Sequence, residues 1–273
     1  MLSRIIVAII GIPLLVYILY SGGVSLFVFT EIISLIGVYE FYKMAEADNK
    51  KPNRILGMGM AFFIPVIIFL QQMYKLKVGL EFIIALGIIL AMTVRIFQNR
   101  VEKASVDIGE TLVGALYPTI LFSHCILISF LPNGGKWLLT AQIMVWVCDS
   151  FAYFTGLSIG RKIFKKGFSQ ISPKKSIEGS IGGIVATIIS LGILDKYFVL
   201  VPNGLNLLEI IGLGLFIALV AQIGDLGESM FKREFKVKDS GTILQGHGGI
   251  LDRFDSMFFV APVMYYLLKL IIL

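Results

Sequence analysis

The chain consists of apolar blocks, most of them close to 20 residues long, which short polar stretches separate. A helix of about 20 apolar residues crosses the roughly 30 Å hydrocarbon core of a bilayer. Hydrophobic residues make up 57% of the 273 and charged residues only 15%, whereas soluble domains have about 25% charged residues. A water-soluble domain of this length could not bury so much apolar surface. We therefore predict an all-α, polytopic integral membrane protein.

About nine transmembrane spans follow when the blocks are taken in order. They are Ile5–Tyr20, Val24–Tyr42, Ile55–Tyr74, Val78–Phe97, Thr111–Leu131, Trp137–Gly156, Ser180–Leu194, Leu207–Gly224 and Ser256 to the C-terminus. The first block resembles a signal peptide but lacks a clear cleavage site, so we interpret it as a retained span. Residues 1–136 then form an N-terminal region of about five helices, and residues 137–273 form a C-terminal catalytic region of about four.

Basic residues support this count, because the cytoplasmic loops of membrane proteins are enriched in lysine and arginine. With the N-terminus inside, 19 of the 24 lysines and arginines fall on the cytoplasmic side. This distribution predicts an outward-facing C-terminus and explains the net charge of +6 without a nucleic-acid partner. Cys125 and Cys148 lie within predicted spans without the spacing of a zinc site, and we interpret them as packing residues.

Polar residues are rare within the first five spans, where Glu31 and His124 stand out. A lone polar group in a membrane helix is usually satisfied by a neighbouring helix, so neither enters the candidate site. Asp149 differs because it lies in the sixth span, twelve residues before Arg161. At roughly 18 Å along the helix, an ionised carboxylate costs about 2.5–3.5 kcal/mol. It needs a cation, a water-filled cavity or a structural hydrogen bond to a neighbouring span.

Two lysines follow Pro173 in the inward loop between the sixth and seventh spans. Pro173 fixes a turn, so that Lys174, Lys175 and Ser176 present two ammonium groups and a hydroxyl near the mouth of the bundle. Such groups are suited to binding phosphate. The basic residues earlier in this loop are interpreted as determinants of topology.

Two acidic pairs flank the loop between the eighth and ninth spans. Asp225 and Glu228 are three residues apart, as are Asp252 and Asp255. Residues at this spacing share one face of a helix. Two such pairs at a membrane boundary would repel each other unless cations lay between them. Ligands that are all oxygen atoms suit Mg²⁺.

Basic residues and glycines lie between and beside the acidic pairs. Glycine lets the backbone approach a ligand and turn its N–H groups towards anions, while lysine and arginine supply positive charge. Together with the acidic pairs, they indicate a metal-assisted phosphate site. The candidates here are Arg233, Lys238, Asp239, His247, Gly248, Gly249 and Arg253.

The run from Ser229 to Asp255 closely resembles the signature of phosphatidate cytidylyltransferases. It carries, at the spacing of that signature, Lys232-Arg233, Lys238-Asp239-Ser240-Gly241, His247-Gly248-Gly249 and Asp252-Arg253-x-Asp255. The stretches Asp149–Tyr153 and Ser172–Gly179 are also similar to that family and occur in the same order. Gln245 departs from the pattern, since the family usually has a small residue or proline before the Gly-His pair.

The resemblance implies transfer of CMP from CTP to phosphatidate, which gives CDP-diacylglycerol and pyrophosphate and requires Mg²⁺. On this hypothesis Asp225 and Asp252 bind metal directly, and two metal ions clamp the attacking and leaving oxygens, with the second ion's identity open. Further ligands, or groups that support the ligands, are Asp149, Glu228 and Asp255. Contacts to the triphosphate and the lipid headgroup are expected from Lys174, Lys175, Lys238, His247 and Arg253.

The short chain, with neither an N-terminal extension nor a soluble domain, fits a bacterial inner-membrane enzyme best. The basic loops and both acidic pairs fall on the predicted cytosolic side, where CTP is found. Phosphatidate would then enter sideways from the surrounding membrane lipids. The oligomeric state is left open between a monomer and a homodimer.

Two other functions would use similar residues. A secondary transporter would bind a coupling cation at its membrane carboxylates, but here the polar residues cluster at one face and the two halves show no convincing repeat. A membrane-embedded lipid kinase would also need metal and a triphosphate. Labelled CTP distinguishes these three functions. Incorporation of CMP into a lipid product indicates the transferase, and transfer of the γ-phosphate to a lipid indicates the kinase. A transporter would give neither product.

Overall fold

The structure is a computed structural model that describes residues 2–165, 167–198, 200–201, 204–243 and 248–272, with side chains described between 9 and 270 in those ranges. Within them it contains nine α-helices and no β-strand. They are α1 (Leu2–Ser21), α2 (Gly23–Ala47), α3 (Arg54–Tyr74), α4 (Leu80–Phe97), α5 (Ala104–Ser129), α6 (Gly134–Ile159), α7 (Ile177–Tyr197), α8 (Leu207–Glu234) and α9 (Leu251–Ile272). The predicted all-α architecture is confirmed.

Seven of these helices, α2 to α8, are long and apolar enough to cross a membrane. Large apolar side chains stay exposed along them, as at Ile55 and Ile89, which are 88% and 60% exposed. Such faces suit lipid rather than water. The chain is therefore an integral membrane protein. For α1, whose described apolar part is Ile9–Ser21, and for α9, spanning remains a prediction.

Helix α5 is central, since it packs against α2, α3, α4, α6 and α9. Where α2, α5, α8 and α9 meet, the core is aromatic. The Phe41 ring lies 5.1 Å from the ring of Phe231, and the Tyr117 ring lies 5.6 Å from that of Phe258. Aromatic pairs at such distances contribute about 0.5–1.5 kcal/mol beyond their buried area. This cluster joins helices of the predicted N-terminal region to helices of the C-terminal region.

Ion pairs connect several helix ends at one end of the bundle. Lys50, just after α2, pairs with Glu110 at the start of α5 and with Glu234 at the end of α8. Asp48 pairs with Lys236 just beyond α8. The connections at this end of the bundle carry most of the lysine and arginine residues.

Two helices extend further into polar sequence than the apolar blocks predicted. Helix α8 continues past Gly224 to Glu234, and α9 begins at Leu251 instead of Ser256. The predicted limits were set by the apolar residues alone. A helix can continue through polar sequence where its side chains form ion pairs, as Lys232 does with Glu228. Both acidic pairs therefore lie on helical turns.

Candidate functional site

A cavity of about 440 Å³ opens between α6, α8 and the start of α7. Its remaining wall is the connection that precedes α7. Five of the predicted site residues line it, namely Asp149, Lys174, Lys175, Ser176 and Asp225. These residues come from three separate parts of the sequence, and the packing of α6, α7 and α8 brings them together.

A hydrogen-bonded turn holds the two lysines at this cavity. The backbone N–H of Lys175 donates to the carbonyl of Ser172 at 3.1 Å, which closes the turn that contains Pro173. The N–H of Phe168 donates to the carbonyl of Lys175 at 2.9 Å. The predicted turn is thus confirmed, and it fixes the backbone from which Lys174 and Lys175 extend.

The first turn of α7 is organised by Ser176 and Glu178. Ser176 is the N-cap, and its Oγ accepts a hydrogen bond from the N–H of Gly179 at 3.1 Å. The buried Glu178 carboxylate accepts from the N–H groups of Ile163 and Phe164 at 3.0 and 2.8 Å. Glu178 therefore ties the beginning of the α6–α7 connection to its end, a role that its place in the sequence motif did not reveal.

The Lys175 ammonium forms an ion pair with the Asp225 carboxylate of α8. Asp149 of α6 lies close enough to both residues to be repelled by Asp225 and attracted by Lys175. Among the described residues, the charged side chains lining the cavity are thus two carboxylates and two ammonium groups, those of Asp149, Asp225, Lys174 and Lys175. Such a lining can bind a cation and an anion side by side.

Asp252 forms a second group of contacts, near the start of α9. Its Oδ2 accepts from the N–H of Ser240 at 2.9 Å, from the Ser240 hydroxyl at 2.9 Å and from the N–H of Gly249 at 2.8 Å. Its Oδ1 lies 2.6 Å from Lys232 Nζ. Lys232 also pairs with the buried Glu228. In this structure, the positive charge between Glu228 and Asp252 is a lysine ammonium.

The two groups adjoin where α8 packs tightly on α9. A Cβ atom at Gly224 would lie only 2.7 Å from the carbonyl oxygen of Asp255, so glycine permits this close approach. Asp255 consequently interacts electrostatically with Asp225, Asp149 and Lys232. Of the five predicted carboxylates, Asp149, Asp225 and Asp255 lie within range of electrostatic interaction with one another. Lys232 pairs with the other two, Glu228 and Asp252, and interacts electrostatically with Asp255.

The donor set around the cavity is compatible with Mg²⁺. In the described part of the chain, no group of three or more His, Cys, Asp and Glu side chains is arranged to hold a metal by itself. Mg²⁺, however, is commonly bound by one or two carboxylates together with substrate phosphates and water. Asp149 and Asp225 provide two carboxylates, and Ser180 and Gln222 add neutral oxygen atoms to the same lining.

The remaining predicted residues that the structure describes lie near the α8–α9 connection, outside the cavity lining. Arg233, Lys238, Asp239 and Arg253 are exposed. Gly248 has a φ of +83°, a conformation that side chains disfavour, and its Cβ position would clash with Asp252. His247 lies outside the described residues.

Sequence reasoning missed Glu40 of α2, which is 1% exposed. Its Oε1 accepts from the N–H of Ile250 at 3.1 Å, and its Oε2 accepts from the N–H of Leu251 at 3.0 Å and lies 3.2 Å from the Ser240 Oγ. A signal was present, because Glu40 is a carboxylate within the predicted second span, as Asp149 is within the sixth.

A second cavity, of about 720 Å³, lies between the α2–α3 connection, α4 and α5. None of the predicted site residues within the described ranges lines it. Two of its arginines already have acidic partners, Arg54 with Glu46 and Arg95 with Asp107. We therefore place the candidate site in the first cavity.

Comparison with known proteins identifies the family. The sequence model of the cytidylyltransferase family matches residues 2–271. A phosphatidate cytidylyltransferase of Staphylococcus aureus (strain COL) is 36% identical over 269 residues, which cover 97% of this chain and 98% of that protein. That of Staphylococcus haemolyticus (strain JCSC1435) is 34% identical over 267 residues, with the same coverage. That of Bacillus subtilis (strain 168) is 41% identical over 166 residues, covering 60% of this chain and 59% of that protein. The chain therefore belongs to the cytidylyltransferase family.

Proposed function

We propose that the chain transfers CMP from CTP to phosphatidate, forming CDP-diacylglycerol and pyrophosphate. Relatives that match it over almost their whole length carry the name of this activity. The observation that carries the proposal is the cavity in which Asp149 and Asp225 lie beside Lys174 and Lys175. A site with these charges, between membrane helices, suits a reaction of a lipid phosphate with a nucleoside triphosphate.

The attacking group needs little activation by the protein. The phosphate monoester of phosphatidate has a second pKa of about 6, so it is mainly a dianion at neutral pH. Its oxygen forms a bond to the α-phosphorus of CTP, the bond from that phosphorus to the bridging oxygen breaks, and pyrophosphate leaves with the electron pair. The protein must hold two anions in line and neutralise their charge.

The ammonium groups of Lys174 and Lys175 are suited to that task, since the turn at Pro173 fixes their backbone at the cavity. The apolar wall of the cavity includes Tyr153 and Leu157, which are 63% and 67% exposed on α6. We place the diacylglycerol part of phosphatidate against this wall. The lipid would then reach the lysines from the bilayer without leaving it.

We propose that Asp149 and Asp225 hold Mg²⁺, with Asp255 adding negative charge nearby. When bound, the ion neutralises the phosphates and stabilises the departing pyrophosphate. Lys175 keeps positive charge beside Asp225. Direct ligation by Asp252, and a second ion between it and Glu228, would require Lys232 to move away. Without that movement, Asp252 holds together two parts of the α8–α9 connection, at Ser240 and Gly249.

We place the site on the cytosolic face of a bacterial inner membrane. The inward connections carry most of the basic residues, as cytoplasmic loops do. The similar proteins are bacterial. CTP would reach Lys174 and Lys175 from the cytosol, while phosphatidate arrives through the inner leaflet.

Purified protein incubated with phosphatidate and CTP labelled at the α-phosphate tests the proposal. We expect label in a chloroform-soluble product in the presence of Mg²⁺ and none after chelation with EDTA. A parallel reaction with γ-labelled CTP should leave the lipid unlabelled. Lipid labelled only from the γ-phosphate would show a kinase, and an unlabelled lipid in both reactions would overturn the proposal.

A further inference from the structure

We propose that Glu40 of α2 is a positioning residue for the transferase reaction, because it holds Ser240 of the α8–α9 connection and the start of α9 around Asp252. The inference rests on the proposed function. It assigns a role in the reaction to a helix of the N-terminal region, where the sequence indicated little chemistry.

Glu40 completes the N-terminus of α9. The carbonyl of Ile250 accepts from the N–H groups of Arg253 and Phe254, at 3.0 and 3.1 Å, so Ile250 is the residue at which the helical hydrogen bonding begins. The first N–H groups of a helix have no acceptor within the helix. The Glu40 carboxylate accepts hydrogen bonds from the N–H groups of Ile250 and Leu251, one with each of its oxygen atoms. A negative charge at this position also interacts favourably with the helix dipole.

Ser240 connects Glu40 to Asp252. Its Oγ lies 3.2 Å from Oε2 of Glu40 and 2.9 Å from Oδ2 of Asp252. Asp252 is itself in the first turn of α9, whose start Glu40 holds. A displacement of Glu40 therefore reaches Asp252 by two routes, through the Ser240 hydroxyl and through the helix backbone.

Two glycines leave room for the Glu40 carboxylate. A Cβ atom at Gly241 would lie 2.3 Å from Oε1 of Glu40, and one at Gly249 would lie 2.5 Å from Oε2. Both distances are shorter than any normal contact. Two parts of the α8–α9 connection thus approach this carboxylate closely, and glycine at both positions leaves the space that Glu40 occupies.

The cytosolic half of α2 is also fixed to α8 and to the residues just after it by contacts that do not involve Glu40, including the packing of Phe41 against Phe231 of α8. The Phe41 ring packs 5.4 Å from that of Phe235. Lys236 Nζ lies 2.8 Å from Oδ1 of Asp48, and this hydrogen bond lowers the pKa of the Asp48 carboxyl below its usual value. Because α2 is held independently, removing the charge at residue 40 should disturb the α8–α9 connection and leave the helix in place.

The test is Glu40→Gln, with Glu46→Gln on the same helix as the matched control. A glutamine has one oxygen and one NH₂ group, so one of the two N–H groups at α9 would face another donor. We expect kcat per folded molecule to fall roughly 10- to 100-fold, as when groups that orient active-site residues are lost. KM for phosphatidate should stay within about twofold, because the proposed lipid wall is on α6. Glu46 is partly exposed and paired with Arg54, so Glu46→Gln should retain the wild-type kcat.

Each outcome decides a different point. An inactive wild-type protein would refute the proposed function itself. With an active wild type, a normal kcat for Glu40→Gln would overturn the positioning role, even if its thermal unfolding midpoint dropped, because Glu40 would then be purely structural. A raised KM with unchanged kcat would overturn it as well. If Glu40→Gln does not fold, Ser240→Ala decides, because it removes the hydroxyl between the two carboxylates; a normal kcat there would again count against the proposal.

Discussion

Lys175, in the turn before α7, forms an ion pair with Asp225 of α8, fifty residues further along the chain. Both residues line the cavity, so the proposed phosphate-binding group and the proposed cation ligand hold each other in place. Both side chains remain about one-third exposed, at 34% and 29%. The pair is therefore accessible to exchange partners with a substrate.

Replacing Lys175 with methionine should impair the reaction more than it impairs folding. A hydrogen bond to a charged group contributes about 1.5–3 kcal/mol, so we expect kcat/KM for CTP to fall about 10- to 100-fold. Lys162→Met, in the same connection and exposed, is the matched control and should retain the wild-type kcat/KM. Steady-state CMP transfer measures both. Equal losses in the two variants would mean that overall loop charge matters and not the lysine at the cavity.

Asp225→Asn should reduce turnover by more than about 100-fold at saturating Mg²⁺, because the proposed ion would lose one of its two protein carboxylates. The ion pair with Lys175 is partly solvated, so its loss should change the thermal unfolding midpoint little. Turnover and unfolding are measured on the same preparation. Near-normal turnover would rule out Asp225 as a metal ligand.

Lys232→Met should destabilise the folded protein strongly. Glu228 is 1% exposed and the Asp252 side chain 8%, and both lose their cation in this variant. Removing one partner of a buried ion pair typically costs about 3–5 kcal/mol. Lys236→Met removes a cation that is 81% exposed and should have little effect. Reversible denaturation in detergent would compare them, and similar unfolding curves would contradict the buried three-residue network.

Ser176→Ala should cost about 1 kcal/mol of stability, because it removes the N-cap of α7. Since Ser176 also lines the cavity, activity should fall too. Asn206→Ala removes the capping box of α8, far along that helix from Asp225, and should lower stability without lowering activity. Ser176→Thr, which keeps the hydroxyl, should restore both properties. A Ser176→Ala protein with normal kcat would limit this residue to capping.

Cysteine labelling should place the α8–α9 connection in the cytosol. Cys125 and Cys148 are buried, so the native thiols should react slowly. Thr242→Cys, at an exposed position of this connection, should react with a membrane-impermeant maleimide only in inverted vesicles. Lys77→Cys, in the α3–α4 connection, should react from the opposite side. The reverse pattern would exclude CTP access from the cytosol.

The local sequence was sufficient to predict the helices and much of the cavity. Apolar block length predicts the spans, and the Pro173 turn predicts where Lys174 and Lys175 are held, because both depend on neighbouring residues. The limits of α8 and α9 could not be predicted from hydropathy, since Lys232 stabilises polar helical turns through Glu228 and Asp252. Glu40 was missed for a related reason. Its partners are 200 or more residues away, and only the packing of α2 on α8 and α9 brings them close.

The contact between Glu40 and the start of α9 also limits how homologous chains can be recombined. Consider a chimera that takes α1 to α5 from one relative and α6 to α9 from another. The two sides of this contact would then come from different proteins. On the proposed role of Glu40, full activity of the chimera would require an acidic side chain at this depth of the second helix from one donor and glycines at positions 241 and 249 from the other.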